Sequence, residues 1–262
     1  MGTRILYVHG IEAIGGAERD LIALLIALDR RKWEAHVVCP GSGPFRDQLD
    51  AIGVPTHALT FPPWRKPLAV IQRQSAIREL STLVAQIHPA MVHVNDIWWV
   101  PHMVRAVARC AGKPMPIVAH VRQEIEPPKV GRYELDRVDA VVAISRQIEQ
   151  SLIAGGVMAG RVRTLYSGID MSQTQIAHDG EALRQKIGIP NGAVLLGTLP
   201  NLFPRKGYEV MLRALPAIAR AVPSVQYVIV GSDDRNYADR LKRLAQELEI
   251  ADRVHIVGFQ DP

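Results

Sequence analysis

The chain has 262 residues, of which 31 are Lys or Arg and 26 are Asp or Glu, and its formal net charge is +5. This length allows one large domain or two moderate ones. Because the basic residues are scattered among acidic ones and form no long block, the composition argues against a nucleic-acid-binding protein. A mildly basic surface fits an anionic substrate or an anionic membrane face equally well.

The chain shows no sign of secretion or membrane insertion. Its two cysteines, Cys39 and Cys110, are predicted to be reduced thiols of a cytosolic protein. The apolar run Ile5–Val8 near the N-terminus is too short for a signal peptide, and the longest apolar segment, Leu21–Leu28, is too short to span a bilayer. We therefore expect a cytoplasmic protein whose membrane contact, if it has any, is peripheral and on the inner face.

Short apolar runs alternate with longer amphipathic stretches throughout, which is typical of repeated β-α units and a parallel sheet. In chain order, the first part is predicted to contain strand Arg4–Val8, helix Ala17–Leu28, strands Ala35–Cys39 and Pro55–Leu59, helix Leu68–Ile87, strand Met91–Val94, helix Val100–Ala111, strands Ile117–His120 and Ala140–Ile144, helix Arg146–Ala154 and strand Arg163–Leu165. The polar segment Met171–Asp179 has little periodicity and is the predicted linker. It separates a first domain, 1–172, from a second, 173–262.

The β-α pattern restarts after the linker. The second part is predicted to contain helix Glu181–Ile187, strand Val194–Leu199, helix Tyr208–Ala221, strand Gln226–Val230, helix Tyr237–Leu248 and strand Val254–Val257. Three strands with two crossover helices make half of a doubly wound sheet, so we expect this second domain to be truncated.

The segment Asn201-Leu-Phe-Pro-Arg-Lys-Gly207 joins a predicted strand to a predicted helix. Amides at a helix N-terminus favour an anion, and Arg205 and Lys206 would each add a charge-assisted hydrogen bond of about 1.5–3 kcal/mol. Such a loop suits a diphosphate, although the same pair can also be a solvated surface pair.

The first β-α turn contains Gly15 and Gly16 just before its helix. Glycines there let backbone amides approach a ligand closely, or they only shape a turn. Together with Gly10 they do not make the G-x-G-x-x-G spacing, so a dinucleotide-binding dehydrogenase is disfavoured.

Polar residues follow other predicted strands, where ligands of parallel sheets gather. Asp96 follows strand Met91–Val94 and either faces a ligand or caps the next helix. Gly231 follows strand Gln226–Val230 and either lines a nucleotide or forms a simple turn.

The ordered motifs together resemble one enzyme family. They are Gly15-Gly-Ala-Glu18, Met91-Val-His-Val-Asn-Asp96, Val141-Val-Ala-Ile-Ser145, Tyr166-Ser-Gly-Ile-Asp170 and the Lys206-Gly207 loop. In this order, from Arg4 to Gly258, they resemble a retaining glycosyltransferase of family 4 with the GT-B fold, which has two Rossmann-like domains.

The resemblance implies a nucleotide sugar bound mainly by the second domain and an acceptor bound by the first, in a cleft between them, without a metal or other cofactor. Donor binding would involve Gly15, Gly16, Asn201, Arg205, Lys206, Gly207 and Gly231. Asn201 stands where the family usually has Arg, with Arg205 next in line to supply that charge, and Ser167 replaces the Asn of the family's Asn-Gly-Val-Asp signature. The family's acidic donor motif, two Glu eight residues apart, would lie after Gly258, beyond the end of the sequence.

On the acceptor side, the family places a His near the transferred sugar. His120 is the natural candidate, and a two-residue register shift would put Arg122 there instead. His120, Arg205 and Lys206 are thus the expected catalytic residues, with Asp96 and Arg122 on the acceptor side.

The sequence therefore predicts transfer of a hexose-type sugar, with retention, to a glycan or lipid-linked acceptor. Two alternatives stay open: a GT-B-like sugar-nucleotide epimerase or hydrolase, and a non-catalytic binding module.

Overall fold

A computed structural model describes residues 2–66, 69–110, 115–171, 180–233 and 236–260 of the chain. The chain divides into two compact units, Met1–Gln173 and Thr174–Pro262. Apart from Met171, the predicted linker lies outside the described residues.

The first unit is a parallel α/β unit with seven strands. Its strands are β1 (Thr3–Val8), β2 (Trp33–Cys39), β3 (Thr56–Ala58), β4 (Met91–Val94), β5 (Ile117–Val121), β6 (Ala140–Ala143) and β7 (Val162–Thr164). Its helices are α1 (Gly16–Ala27), α2 (Pro44–Ala51), α3 (Val70–Ile87), α4 (Val100–Arg109), α5 (Pro127–Arg132) and α6 (Arg146–Ala154). The strand order is β3-β2-β1-β4-β5-β6-β7, which is the doubly wound order of Rossmann-like domains.

The strand order reverses between β1 and β4, which pair in parallel with Val8 beside Val94. The residues that follow, His9 and Asn95, are therefore neighbours at the carboxyl edge of the sheet. Ligands of open α/β sheets bind at this kind of crevice, so the fold itself marks this edge as a candidate site.

Each face of this sheet has its own core. One face packs against α3, α4, α5 and α6, and the other packs against α1 and α2 over β1 and β2. Leu80, Met103 and Leu152 are fully buried in the first core, and Leu21 and Phe45 in the second. Cys39 is also fully buried, and burial raises the pKa of its thiol to about 11.

The second unit is smaller and also alternates helices with parallel strands. Its elements are α7 (Glu181–Lys186), β8 (Leu195–Thr198), α8 (Tyr208–Ala221), β9 (Gln226–Val230), α9 (Tyr237–Glu247) and β10 (Val254–Gly258). Three parallel strands lie in the order β10-β9-β8, and Tyr208, Tyr227 and Leu241 are buried in its core.

Every predicted strand and helix is present, with ends that differ by no more than two residues. Helices α2 and α5 were not predicted. α2 begins at Pro44 and buries only Phe45 and Leu49, and α5 has six residues. Within the described residues, no helix combines the length and apolar character needed to cross a bilayer.

Candidate active site

The loop between β8 and α8 contains the predicted phosphate-type residues. Pro204–Lys206 form a single 3-10 turn, and Gly207 follows it with φ 78°, a left-handed conformation that favours glycine. The side chains of Arg205 and Lys206 are exposed, and the Arg205 guanidinium carbon lies 5.6 Å from the Phe203 ring centroid. Both cations thus lie one turn before the N-terminus of a 14-residue helix.

The base of this loop is held by Tyr208, the first residue of α8. Its side chain is fully buried, and its hydroxyl donates hydrogen bonds to the carbonyl oxygens of Pro200 and, at 3.4 Å, of Asn201. The amide of buried Leu202 donates to Ser232 O at 2.9 Å. The loop is therefore anchored to the core of the second unit while its cationic tip is exposed.

Gly231 has a packing role in the same unit. Its φ is 151°, and a Cβ atom there would lie 2.9 Å from the carbonyl carbon of Pro200. Only glycine lets the end of β9 pass this close to the Pro200 carbonyl. A role of Gly231 in donor binding stays a prediction.

In the first unit, the turn after β1 is closed by Glu18. One carboxylate oxygen accepts a hydrogen bond from the Gly15 amide at 2.7 Å, and the other lies 2.6 Å from His9 Nε2. Neither Gly15 nor Gly16 has a positive φ, so turn geometry does not require glycine at these positions. A Cβ at Gly16 would meet nothing within 4 Å, and the backbone there is open on that side.

A second set of contacts lies at the ends of β4 and β5. Arg122 follows β5 directly and forms an ion pair with Asp20 of α1 through Nη1. Its Nη2 atom donates to Asn95 Oδ1 at 2.8 Å and lies 3.0 Å from His120 Nδ1. Asn95 Nδ2 in turn donates to the carbonyl oxygen of Ala17 at 3.3 Å.

We refer to His9, Glu18, Asp20, Asn95, His120 and Arg122 as the carboxyl-edge cluster. His120 and Arg122, two alternatives for one position in the sequence, are neighbours in it. Sequence reasoning missed His9, Glu18 and Asp20 as members. His9 could have been found as the first polar residue after an apolar strand, whereas Asp20 has no comparable local signal.

His120 is buried, with 7% of its surface exposed, and its pKa is lowered to about 3 by burial and then by the nearby Arg122 charge. The His93 ring lies 5.5 Å away, and burial likewise lowers the pKa of His93 to about 4. Both imidazoles are therefore neutral at physiological pH, and neither competes with Arg122 as a cation.

Asp96 caps the 3-10 turn Ile97–Trp99 by accepting a hydrogen bond from the Ile97 amide at 2.7 Å. This is the capping interpretation of the two that the sequence allowed. Burial raises the pKa of its carboxyl group to about 6, although the Ile97 hydrogen bond opposes the rise. An acceptor contact of Asp96 stays a prediction.

The predicted site residues are thus divided between the two units. Asn201, Arg205, Lys206, Gly207 and Gly231 belong to the second unit, and Gly15, Gly16, Asp96, His120 and Arg122 belong to the first. Among the described residues, no three His, Cys, Asp or Glu side chains are grouped as ligands for a metal ion.

Comparison with known proteins decides the family. Residues 14–173 match Glycosyltransferase Family 4, and residues 179–262 match Glycosyl transferases group 1. The chain belongs to glycosyltransferase family 4. The chain has the GT-B type of α/β fold, with Rossmann-like parallel sheets and a smaller second unit.

Two curated relatives match parts of this family 4 chain. It is 30% identical over 130 residues to the GDP-mannose-dependent alpha-(1-6)-phosphatidylinositol monomannoside mannosyltransferase of Mycolicibacterium smegmatis. This match covers 48% of this chain and 33% of the relative. It is 27% identical over 178 residues to the D-inositol 3-phosphate glycosyltransferase of Corynebacterium jeikeium. This second match covers 64% of this chain and 42% of the relative. The matches thus span less than half the length of these two relatives.

Among solved structures, Anabaena HepE in complex with UDP and glucose is similar to this chain, with a TM-score of 0.78 and 24% identity. The similarity covers 99% of this chain and 70% of that one. At this identity the likeness shows the fold.

Proposed function

We propose that the chain binds a nucleoside-diphosphate sugar through its second unit and a sugar acceptor through its first, as parts of a glycosyltransferase. The observation that carries this proposal is the exposed Arg205-Lys206 pair, in a turn anchored at the N-terminus of α8, in a chain of family 4. The mannosyltransferase relative is named for its GDP-mannose dependence, and the HepE structure contains UDP and glucose.

In the proposed reaction, the bond between the sugar and the diphosphate breaks and negative charge builds up on the leaving phosphate. Arg205 and Lys206 would stabilise this charge, and the amides at the start of α8 would add a partial positive charge. Because the protein supplies this charge itself, we propose that transfer needs no metal. We also propose retention, in which the leaving phosphate takes the proton of the attacking acceptor hydroxyl.

The carboxyl-edge cluster is the proposed acceptor side. Its members His9, Asn95 and Arg122 follow β1, β4 and β5, and the strand order reverses between β1 and β4, which is where this fold gathers ligands. There His120 would hold a hydroxyl of the transferred sugar, and Arg122 and Asp96 would bind acceptor groups. Gly15 and Gly16 would let the backbone come close to the donor diphosphate, with the Gly16 amide as the donor because the Gly15 amide is bound to Glu18.

The acceptor class is proposed to be a glycan or a lipid-linked molecule. The names of two relatives, a phosphatidylinositol monomannoside mannosyltransferase and an inositol 3-phosphate glycosyltransferase, indicate acceptors that carry phosphate. A mildly basic protein is suited to such acceptors, and peripheral contact with an anionic membrane face would be compatible with them.

The test is calorimetric titration of the 262-residue chain with UDP and GDP, followed by product analysis with UDP-glucose and GDP-mannose, each with and without acceptor. We expect one nucleoside diphosphate to bind, turnover of its sugar nucleotide by the 262-residue chain to be weak or absent, and any product to require an acceptor. A new sugar nucleotide or free sugar formed without acceptor would instead identify an epimerase or hydrolase. If neither nucleoside diphosphate binds, the proposal is wrong.

A further inference from the structure

Arg122 makes three contacts that bring α1, β4 and β5 together. Asp20 of α1 pairs with its Nη1 atom, while its Nη2 atom lies 2.8 Å from Asn95 Oδ1 and 3.0 Å from His120 Nδ1. The side chains of Arg122 and Asp20 are 15% and 18% exposed. A guanidinium group held by a carboxylate and an amide oxygen at once has little freedom to turn away from His120.

This arrangement determines where the His120 ring carries its hydrogen. A guanidinium group can only donate hydrogen bonds, so His120 Nδ1 must accept and must carry a lone pair. In a neutral imidazole the one hydrogen is then on Nε2. The ionised groups near the ring are Arg122 after β5 and Asp20 on α1, and His93 on β4 is neutral. The positive charge of Arg122, which is closest, disfavours a second proton on the ring.

The other ring nitrogen, Nε2, is buried and has no hydrogen-bond partner among the described residues. A buried N–H group without an acceptor costs stability, and structures that keep one often use it for a ligand. His120 lies near the carboxyl end of β5, on the same edge as the other cluster residues. An oxygen atom of a bound sugar would satisfy this donor.

We propose that Asp20 and Arg122 are positioning residues that hold His120 in the neutral Nε2–H tautomer, so that His120 is a permanent hydrogen-bond donor to a sugar oxygen. The contact with a sugar rests on the proposed function, whereas the tautomer does not. A permanent donor in this state cannot take the proton of an attacking hydroxyl. His120 therefore binds the sugar and is not the general base.

The tautomer can be measured directly in the full chain labelled with ¹⁵N in its histidine rings. Long-range ¹H–¹⁵N spectra distinguish a protonated from an unprotonated ring nitrogen, and the His120 signals are those that disappear in His120→Gln. We expect hydrogen on Nε2 only, unchanged between pH 8 and pH 5. A hydrogen on Nδ1, or protonation of the ring in this range, would overturn the proposal.

Substitutions of Arg122 and Asp20 test whether these residues position the His120 ring. In Arg122→Met the His120 signals should show a mixture of tautomers and a pKa raised by at least one unit. The Asp20 carboxylate itself raises the pKa of His120, so Asp20→Asn should weaken the preference for one tautomer without raising this pKa. The matched control is Arg132→Met, an exposed position on α5, which should leave the His120 signals unchanged. Signals in folded Arg122→Met that are identical to those of the unsubstituted chain would contradict the proposed role of Arg122.

The sugar contact is tested by adding UDP-glucose or GDP-mannose to the labelled chain. We expect one of them to shift the His120 Nε2 signal, while UDP and GDP do not. Binding of a sugar nucleotide without such a shift would exclude the sugar contact. If calorimetry detects no nucleotide binding at all, the proposed function has failed, and the spectra of the unliganded chain still decide the tautomer.

Discussion

Glu18 Oε1 lies 2.6 Å from His9 Nε2, and the two side chains are 5% and 0% exposed. The contact joins the first turn of α1 to the end of β1, and with the Gly15 hydrogen bond it fixes the first β-α turn. Burial alone would raise the pKa of the Glu18 carboxyl, but His9 and the backbone amides outweigh it and lower that pKa. Glu18 therefore stabilises the fold in its charged form.

Replacing this carboxylate tests its role in the first unit. Glu18→Gln keeps an oxygen for the Gly15 amide and removes the charge beside His9. We therefore expect the free energy of unfolding to fall by about 1–3 kcal/mol at pH 7. All four tryptophans lie in the first unit, so tryptophan fluorescence during urea unfolding reports on this unit. The control Glu79→Gln, at an exposed position on α3, should change the free energy of unfolding by less than about 0.5 kcal/mol. Equal midpoints for Glu18→Gln and the unsubstituted chain would contradict this role.

The raised pKa of the Asp96 carboxyl group predicts that the free energy of unfolding depends on pH. An unfolded Asp ionises near pH 4, whereas the folded protein keeps this proton until about pH 6. The folded state therefore binds more protons in between, and stability falls as the pH rises through this range. Asp96→Asn keeps the oxygen for the Ile97 amide and should be about 1–2 kcal/mol more stable than the unsubstituted chain at pH 8.

At pH 4 most of this advantage should disappear, because the carboxyl group is then protonated in the folded state and about half protonated in the unfolded state. Urea unfolding followed by tryptophan fluorescence at both pH values makes the measurement, with exposed Asp136→Asn as the control. An advantage of the same size at both pH values would show that Asp96 does not titrate as described.

Two glycines of the second unit should respond differently to Ala. Gly231→Ala places a Cβ against the Pro200 carbonyl and should destabilise the unit by several kcal/mol. Gly207→Ala meets nothing within 4 Å and should cost only about 1–2 kcal/mol for its left-handed backbone. Hydrogen exchange of peptides from β9 and α8 measures both variants. Equal protection in the two variants would exclude the packing role of Gly231.

The sequence predicts those features of the fold and site that depend on residues close together in the chain. The loop at Asn201–Gly207 was predicted from a strand, a cationic pair and a helix in succession, and the structure has that order. The contact between Asp20 and Arg122 joins residues 102 positions apart, and it depends on how α1 packs against the sheet. No periodicity or motif specifies that packing. For the same reason His120 and Arg122 were alternatives in the sequence and are partners in the structure.

The central claim is that Arg205 and Lys206 bind the donor diphosphate. Calorimetric titration with UDP and GDP tests it most directly, comparing the unsubstituted chain with Arg205→Ala, Lys206→Ala and the control Arg220→Ala, which removes the same charge from the last turn of α8. We predict that Arg205→Ala and Lys206→Ala each weaken binding by about 1.5–3 kcal/mol, roughly ten- to hundred-fold, while Arg220→Ala has little effect. Unchanged affinity in Lys206→Ala, or an equal loss in Arg220→Ala, would contradict the claim.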